Sequence, residues 1–236
     1  MVALTHTYKH LISNIMAIKI STHDTDSELY GKSKWWGCPD LPKGVPYPCY
    51  EPIPDYMADD EHIADYDEDE SEDTLTFICQ INLQDIAPYD VEGLLPHTGM
   101  LYFFAQLDYF MGDLDAPSQG LGFWQKGAFR VIYSPKTTAL HTHRTLWADG
   151  TPAYRPARAI TFSRTDDYDY GHRLLGMPYY EEVSTEAPGM LSLLQIDEDD
   201  DLPLHLYDLG NLNFLITPSQ LKSKDFTYTR LYFHSL

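Results

Sequence analysis

Leu191 to Thr217 read LSLLQIDEDDDLPLHLYDLGNLNFLIT, and an earlier stretch, Leu75 to Gln106, has the same design: LTFICQINLQDIAPYDVEGLLPHTGMLYFFAQ. Each opens with a short apolar run that carries Gln, Ile and then Asn or Asp, crosses a polar interval, and resumes after Gly with a second apolar run. Gln80, Ile81 and Asn82 correspond to Gln195, Ile196 and Asp197 at an offset of 115. Gly99, Leu101, Phe103 and Phe104 correspond to Gly210, Leu212, Phe214 and Leu215 at an offset of 111, so the four-residue difference falls in the loop. Two runs matched in order, with a small loop deletion, point to duplication of a supersecondary unit. A glutamine inside an apolar run costs free energy unless its amide is hydrogen-bonded, and its recurrence argues against chance. Two roles are open to it: each Gln ties down a bulge or a neighbouring strand, or both face a shared groove.

The pattern around the repeat is that of a β protein. LTFICQI, MLYFFAQL, AFRVIYS, RAITFS, LSLLQI, LNFLIT and RLYFHSL are short, rich in β-branched or aromatic residues, and bounded by Gly, Pro, Asp or Asn. Phe129, Val131 and Tyr133 alternate cleanly, whereas MLYFFA is apolar on both faces and predicts cover on both sides. IKIS reads as a further strand, and Thr7 to Met16, LQDI and SQLKSKD as short helices. Prolines and glycines punctuate GKSKWWGCPDLPKGVPYP, residues 31–48, which reads as an extended loop without regular elements. The expected fold is mainly β: a single domain over residues 1–236 made of two related halves, with antiparallel curved sheets, a few short helices, and the repeat at about 75–108 and 191–221.

Charge separates the classes of partner. The 236 residues carry a net charge of −20; twelve of the 36 acidic residues and none of the 16 Lys and Arg lie in the acidic loop 51–73, leaving a net of −8 elsewhere. Such a chain repels nucleic acid and anionic membranes and attracts basic proteins or cations. Three cysteines without CxxC spacing suggest neither a disulfide framework nor a thiolate zinc site, which fits a reducing cytoplasm. No run approaches the ~18 apolar residues of a membrane helix. Ser13 and Asn14 interrupt LISNIMAI, and no small-residue cleavage site follows it.

Motifs for chemistry are sparse. Gly31 to Ser33 read GKS, but Asp26 stands where a phosphate-binding loop has its first glycine. Asp65, Asp67 and Asp69 have calcium-loop spacing, yet Glu70 and Thr76 replace the required Gly and closing Glu. His141 and His143, two apart on one strand face, have no third metal ligand signposted. Cys79 lies inside an apolar strand, where a thiol is inert, and GxSxG is absent. No metal, no cofactor and no catalytic set is expected.

SKWWGCPDLPKGVPYP, FICQINL, LPHTGMLYFFAQ, HRLLGMP, and LLQIDEDDD followed by DLGNLNFLI resemble, in order and spacing, the YwqG-like family of bacterial proteins, from about Ser33 to the C-terminal strand. The resemblance implies a mainly β fold with two related halves and no established reaction. Trp36 stands where the first of two glycines after the Ser-Lys pair is expected, Tyr47 stands where a tryptophan is usual, and the acidic run is longer than the family's. The functional expectation is a cytoplasmic, non-catalytic binding module for a basic protein partner, of the immunity or inhibitor kind. The competing class is a small-molecule-binding or hydrolytic protein using a groove between the halves. The candidate binding residues are Gln80, Asn82, Gln195, Asp197, His172 and Arg173.

Overall fold

The computed structural model describes residues 15–51, 74–146, 150–165, 170–199 and 201–236. The helix expected from Thr7 lies almost wholly outside them, as does the acidic run after Glu51 with Asp65, Asp67 and Asp69. Each apolar run of the sequence forms a strand: β1 (Ala17–His23), β4 (Thr76–Asn82), β5 (Met100–Ala105), β7 (Phe129–Ser134), β9 (Arg158–Thr165), β11 (Leu191–Asp197), β12 (Asn211–Ile216) and β13 (Arg230–His234). Short strands stand between them: β2 (Lys34–Trp35), β3 (Asp40–Pro42), β6 (Gly122–Phe123), β8 (Leu140–Thr142) and β10 (Arg173–Leu174). The first two correct the expectation that 31–48 is loop throughout. Two or three residues are too few to show alternation, and their ladder partners come from far along the chain.

The helices are α1 (Leu83–Ile86), α2 (Glu181–Glu186) and α3 (Pro218–Ser223). The last starts on a capping box between Thr217 and Gln220, with Pro218 in the first turn where its missing N–H costs nothing. Among the described residues, no helix is long and apolar enough to cross a membrane.

Among the described residues, eleven strands form one antiparallel sheet, curled into a half-barrel, in the order β6-β13-β12-β11-β10-β1-β9-β2-β4-β5-β7; β3 and β8 pair separately. From the β1–β9 ladder outward the two arms correspond strand for strand as far as β7 and β13, with β6 added beyond β13 on one arm only, and the registers correspond as well. Ser21 faces Thr161 at the centre, with Lys19 opposite Ser163 on one side and His23 opposite Ala159 on the other. Lys34 faces Gln80 as Arg173 faces Gln195. A bulge interrupts β4 between Phe77 and Cys79, and the same bulge interrupts β11 between Ser192 and Leu194. The two halves are therefore β1-β2-β4-β5-β7 and β9-β10-β11-β12-β13, and they exchange their first strands: β1 pairs with β10 of the second half and β9 with β2 of the first.

The concave side holds one apolar core shared by both halves, in which the twin residues Phe103 and Phe214 meet edge to face with ring centroids 5.3 Å apart. The opposite face of β5 is also covered, Met100, Tyr102 and Phe104 packing with Leu41, Leu75 and Phe77 as its two-sided apolar pattern predicts. At the twin positions of the second half, Ser192, Asn211 and Asn213 are buried and hydrogen-bonded to one another. The duplicates thus differ on this outer layer: Phe77, Met100 and Tyr102 are replaced by polar residues, while the twin of Phe104, Leu215, stays in an apolar cluster with Tyr180, Val183, Ala187 and Met190.

Trp36 has φ +56° and its twin Leu175 has φ +60°, the left-handed region that costs an L-residue about 1–2 kcal/mol and suits the glycine expected at Trp36. Gly37 and Gly176 follow, also at positive φ, each against an alanine leading into the exchanged strand. A Cβ on Gly37 would lie 2.6 Å from Ala157 Cβ, and one on Gly176 3.1 Å from Ala17 Cβ. Gly37→Ala and Gly176→Ala should each destabilise by about 1–3 kcal/mol in urea titrations, the first more than the second.

Candidate functional site

The two glutamines occupy twin positions and do the same job. Gln80, fully buried on β4, accepts the Asp40 N–H at Oε1 (2.8 Å) and donates from Nε2 to the Lys32 carbonyl (2.9 Å). Gln195, fully buried on β11, accepts the Tyr179 N–H at Oε1 (3.0 Å) and donates from Nε2 to the Gly171 carbonyl (3.4 Å). Asp40 and Tyr179 are 139 residues apart, as are Lys32 and Gly171 and the facing residues Lys34 and Arg173. Each amide therefore fastens the segment before and after the short strand beside it, the first of the two roles open to these residues.

What surrounds each clamp differs. In the first half Asp40 Oδ2 accepts from Lys34 Nζ (2.8 Å), the Gly31 N–H (3.0 Å) and Gln80 Nε2 (2.9 Å), while Oδ1 accepts from Thr142 Oγ1 (2.6 Å). Burial pushes the Asp40 carboxyl up, but the bonds from Lys34, Thr142 and Gly31 outweigh it and hold the group below its ordinary range. The second half has Tyr179 in place of that acid, and Arg173 Nη2 donates to Gln195 Oε1 (2.9 Å). Ser33 Oγ accepts the Asn82 N–H (2.9 Å) and donates to Asp85 (2.7 Å). Its twin His172 accepts the Asp197 N–H at Nδ1 (3.1 Å), so its Nε2 carries the proton toward Asp199 (3.3 Å). That bond holds the Asp199 carboxyl below its usual range.

Asp197 behaves differently. Burial pushes its carboxyl up, against the hydrogen bond from the Gly171 N–H and the nearby charge of Arg173. An acid whose folded-state pKa is raised favours folding while protonated, so its contribution is present below the unfolded value and is lost as pH rises through the folded one. Asp197→Asn, which restores the residue of the first half, should raise the melting temperature at pH 7 and leave it unchanged near pH 3.

The six candidate binding residues thus form two matching sets, Gln80 with Asn82 and Gln195 with Asp197, His172 and Arg173, all turned to partners within the fold. His141 and His143 lie with rings 4.8 Å apart, and burial together with His141 lowers the pKa of His143. Among the described residues, no group of three or more His, Cys, Asp or Glu is placed to hold a metal. The Cys79 thiol is pushed well up by burial, which keeps it protonated.

A concavity lies apart from these clamps. A cleft of about 870 Å³ opens on the first half and on the segment leading to β9. Trp36, Tyr47, Tyr50 and Tyr154 supply aromatic walls, Asp108, Asp113 and Asp115 supply carboxylates, and Arg155 lies among them. Asp113 and Asp115 are exposed, and the neighbouring Leu114 and Leu146 leave 75% and 58% of their surface in water, more than a sealed wall needs. Two donors are buried here with no hydrogen-bond partner among the described residues, Trp36 Nε1 and Arg155 Nε. Arg155 Nη2 is tied to the Met111 carbonyl (3.0 Å), which fixes the guanidinium while Nε stays unused. Burial lowers the Arg155 pKa against the field of Asp108. The sequence signal for this site was weak: three acids among 36, and a tryptophan at a position fitted to glycine.

A duplicated antiparallel half-barrel with exchanged first strands, clamped by a glutamine in each half, defines the class of protein. A family model described as a domain of unknown function (DUF1963) matches residues 33–170 and 155–234, and the chain belongs to that family; the two segments are consistent with the two halves. No curated protein matches the chain.

Proposed function

We propose that the protein is a non-catalytic binding module for a basic protein partner, of the immunity or inhibitor kind, and that within its family it is a YwqG-like bacterial protein working in the cytoplasm. The observation that supports this best is the cleft, whose lining includes the carboxylates of Asp108, Asp113 and Asp115 and the rings of Tyr47, Tyr50 and Tyr154. Carboxylates beside aromatic faces attract cations by charge and by the ring quadrupole, and the net charge of −20 extends that attraction beyond contact distance. His172 is tied into the fold and the Cys79 thiol is held protonated by burial, roles that serve packing better than turnover.

The test is capture on the immobilised protein from a native lysate at low salt, with elution by rising salt and rebinding of each purified candidate. Support is a basic protein that rebinds and releases as the screening length falls from ~10 Å at 0.1 M to ~3 Å at 1 M salt. Recovery of no basic protein, together with a metabolite that raises the melting temperature, would replace this reading with a small-molecule one.

A further inference from the structure

We propose that His141 and His143 hold one divalent transition-metal ion of the zinc, nickel or copper kind, each through one imidazole nitrogen, with water completing its coordination. The site is independent of the binding-module reading, and neither histidine lines the cleft. Both stand on β8, where residues two apart share one face and Thr142 between them turns to the other. The strand is pinned at three points. Thr142 Oγ1 donates to the buried Asp40 (2.6 Å), the His143 N–H donates to the Pro39 carbonyl (2.9 Å), and the Leu140 carbonyl accepts from Tyr30 Oη (2.8 Å). The backbone beneath the pair is therefore fixed, and an ion that binds it has only side chains to order. An imidazole nitrogen lies about 2.0–2.1 Å from a bound zinc ion, which puts the ring centre about 3.2 Å from the metal; two such rings at about 90–110° to one another have centres about 4.5–5.2 Å apart. The rings of His141 and His143 have centroids 4.8 Å apart and planes 83° apart, and His141 is exposed and free to turn its nitrogen toward a shared ion. Imidazole suits zinc, nickel and copper, whereas magnesium and calcium take oxygen. The net charge of −20 draws in cations of every kind, and the two nitrogens select among them. Among the described residues no third His, Cys, Asp or Glu joins the pair, so water fills the other positions and the ion stays exchangeable. The β3–β8 pair has no counterpart among the described residues of the second half, so the site belongs to one copy of the duplicated unit.

The experiment titrates the full chain with Cu2+, Ni2+ and Zn2+ by calorimetry in excess Ca2+, which occupies carboxylates, and records the electron paramagnetic resonance spectrum of sub-stoichiometric Cu2+. One ion should bind per chain, copper the tightest, with nitrogen ligands visible in the spectrum. His141→Ala and His143→Ala should each weaken binding at least about tenfold, and the double variant should lose both the tight binding and the nitrogen signature. His97→Ala, at another exposed histidine, should change neither. His143 is half-buried and its variant can lose stability, so the melting temperature of each metal-free variant is measured, and His141→Ala, at an exposed position, decides the matter by itself. Unchanged affinity in His141→Ala would overturn the proposal, because the ion would then sit on other histidines of the chain. Displacement of the ion by Ca2+, or a copper spectrum without nitrogen ligands, would overturn it in favour of condensation on carboxylates.

Discussion

Asp40→Ala is expected to lower stability by about 3–5 kcal/mol at neutral pH, a large fraction of the roughly 5–15 kcal/mol that holds a domain folded. Asp40 is 1% exposed and Lys34 5%, so removing the carboxylate leaves an ammonium buried with no counter-charge at 2.8 Å. Gly31 N–H and Thr142 Oγ1 lose their acceptor in the same step, and with Thr142 goes a tie between β3 and β8. Because the folded-state pKa of Asp40 is depressed, its contribution is present above the unfolded value and is lost as pH falls through the folded one. Urea titrations from pH 7 downward should therefore show the wild-type advantage over Asp40→Ala shrinking in acid. An equal gap at every pH would deny the ion pair its role.

Gln80→Leu and Gln195→Leu should each cost about 2–6 kcal/mol, since each deletes the partner of at least one buried N–H and one carbonyl at about 1–3 kcal/mol apiece. The side chains are close enough in size that neither change opens a large cavity, so the loss reports the hydrogen bonds. Each clamp carries one further bond: Gln80 Nε2 also serves Asp40 Oδ2, and Gln195 Oε1 also accepts from the buried Arg173 Nη2 at 2.9 Å. A loss below about 1 kcal/mol at either position in urea titrations would mean that its amide does not fasten the fold.

The strands were legible because their runs are long enough to show composition and boundaries, and the duplication was legible because a glutamine cannot drift freely inside an apolar strand. The neighbouring correspondence between SKWWGCP and HRLLGMP was not, although the structure places them at twin positions. Only Gly37 with Gly176 and Pro39 with Pro178 are identical there, because backbone conformation demands the glycine while Trp35 and Leu174 can each fill the same core position. The exchange of β1 and β9 leaves no sequence mark, since nothing in the two short strands names the partner, and the pairing of β1 with β10 and of β9 with β2 belongs to tertiary structure. The cleft was hidden for a different reason. Its carboxylates look like any others in an acidic chain, and the unused Trp36 and Arg155 donors exist only once the fold has buried them.

The chain is a single unit written twice, each copy fastened by its own glutamine. Amide hydrogen exchange at Asp40 and Tyr179 tests it directly, because these twin N–H groups are held by Gln80 and Gln195 and by neither strand ladder. Both should exchange slowly in the wild type, with Gln80→Ala freeing Asp40 alone and Gln195→Ala freeing Tyr179 alone. Exchange of either amide at the rate of an open loop, or loss of protection at both from one substitution, would contradict it.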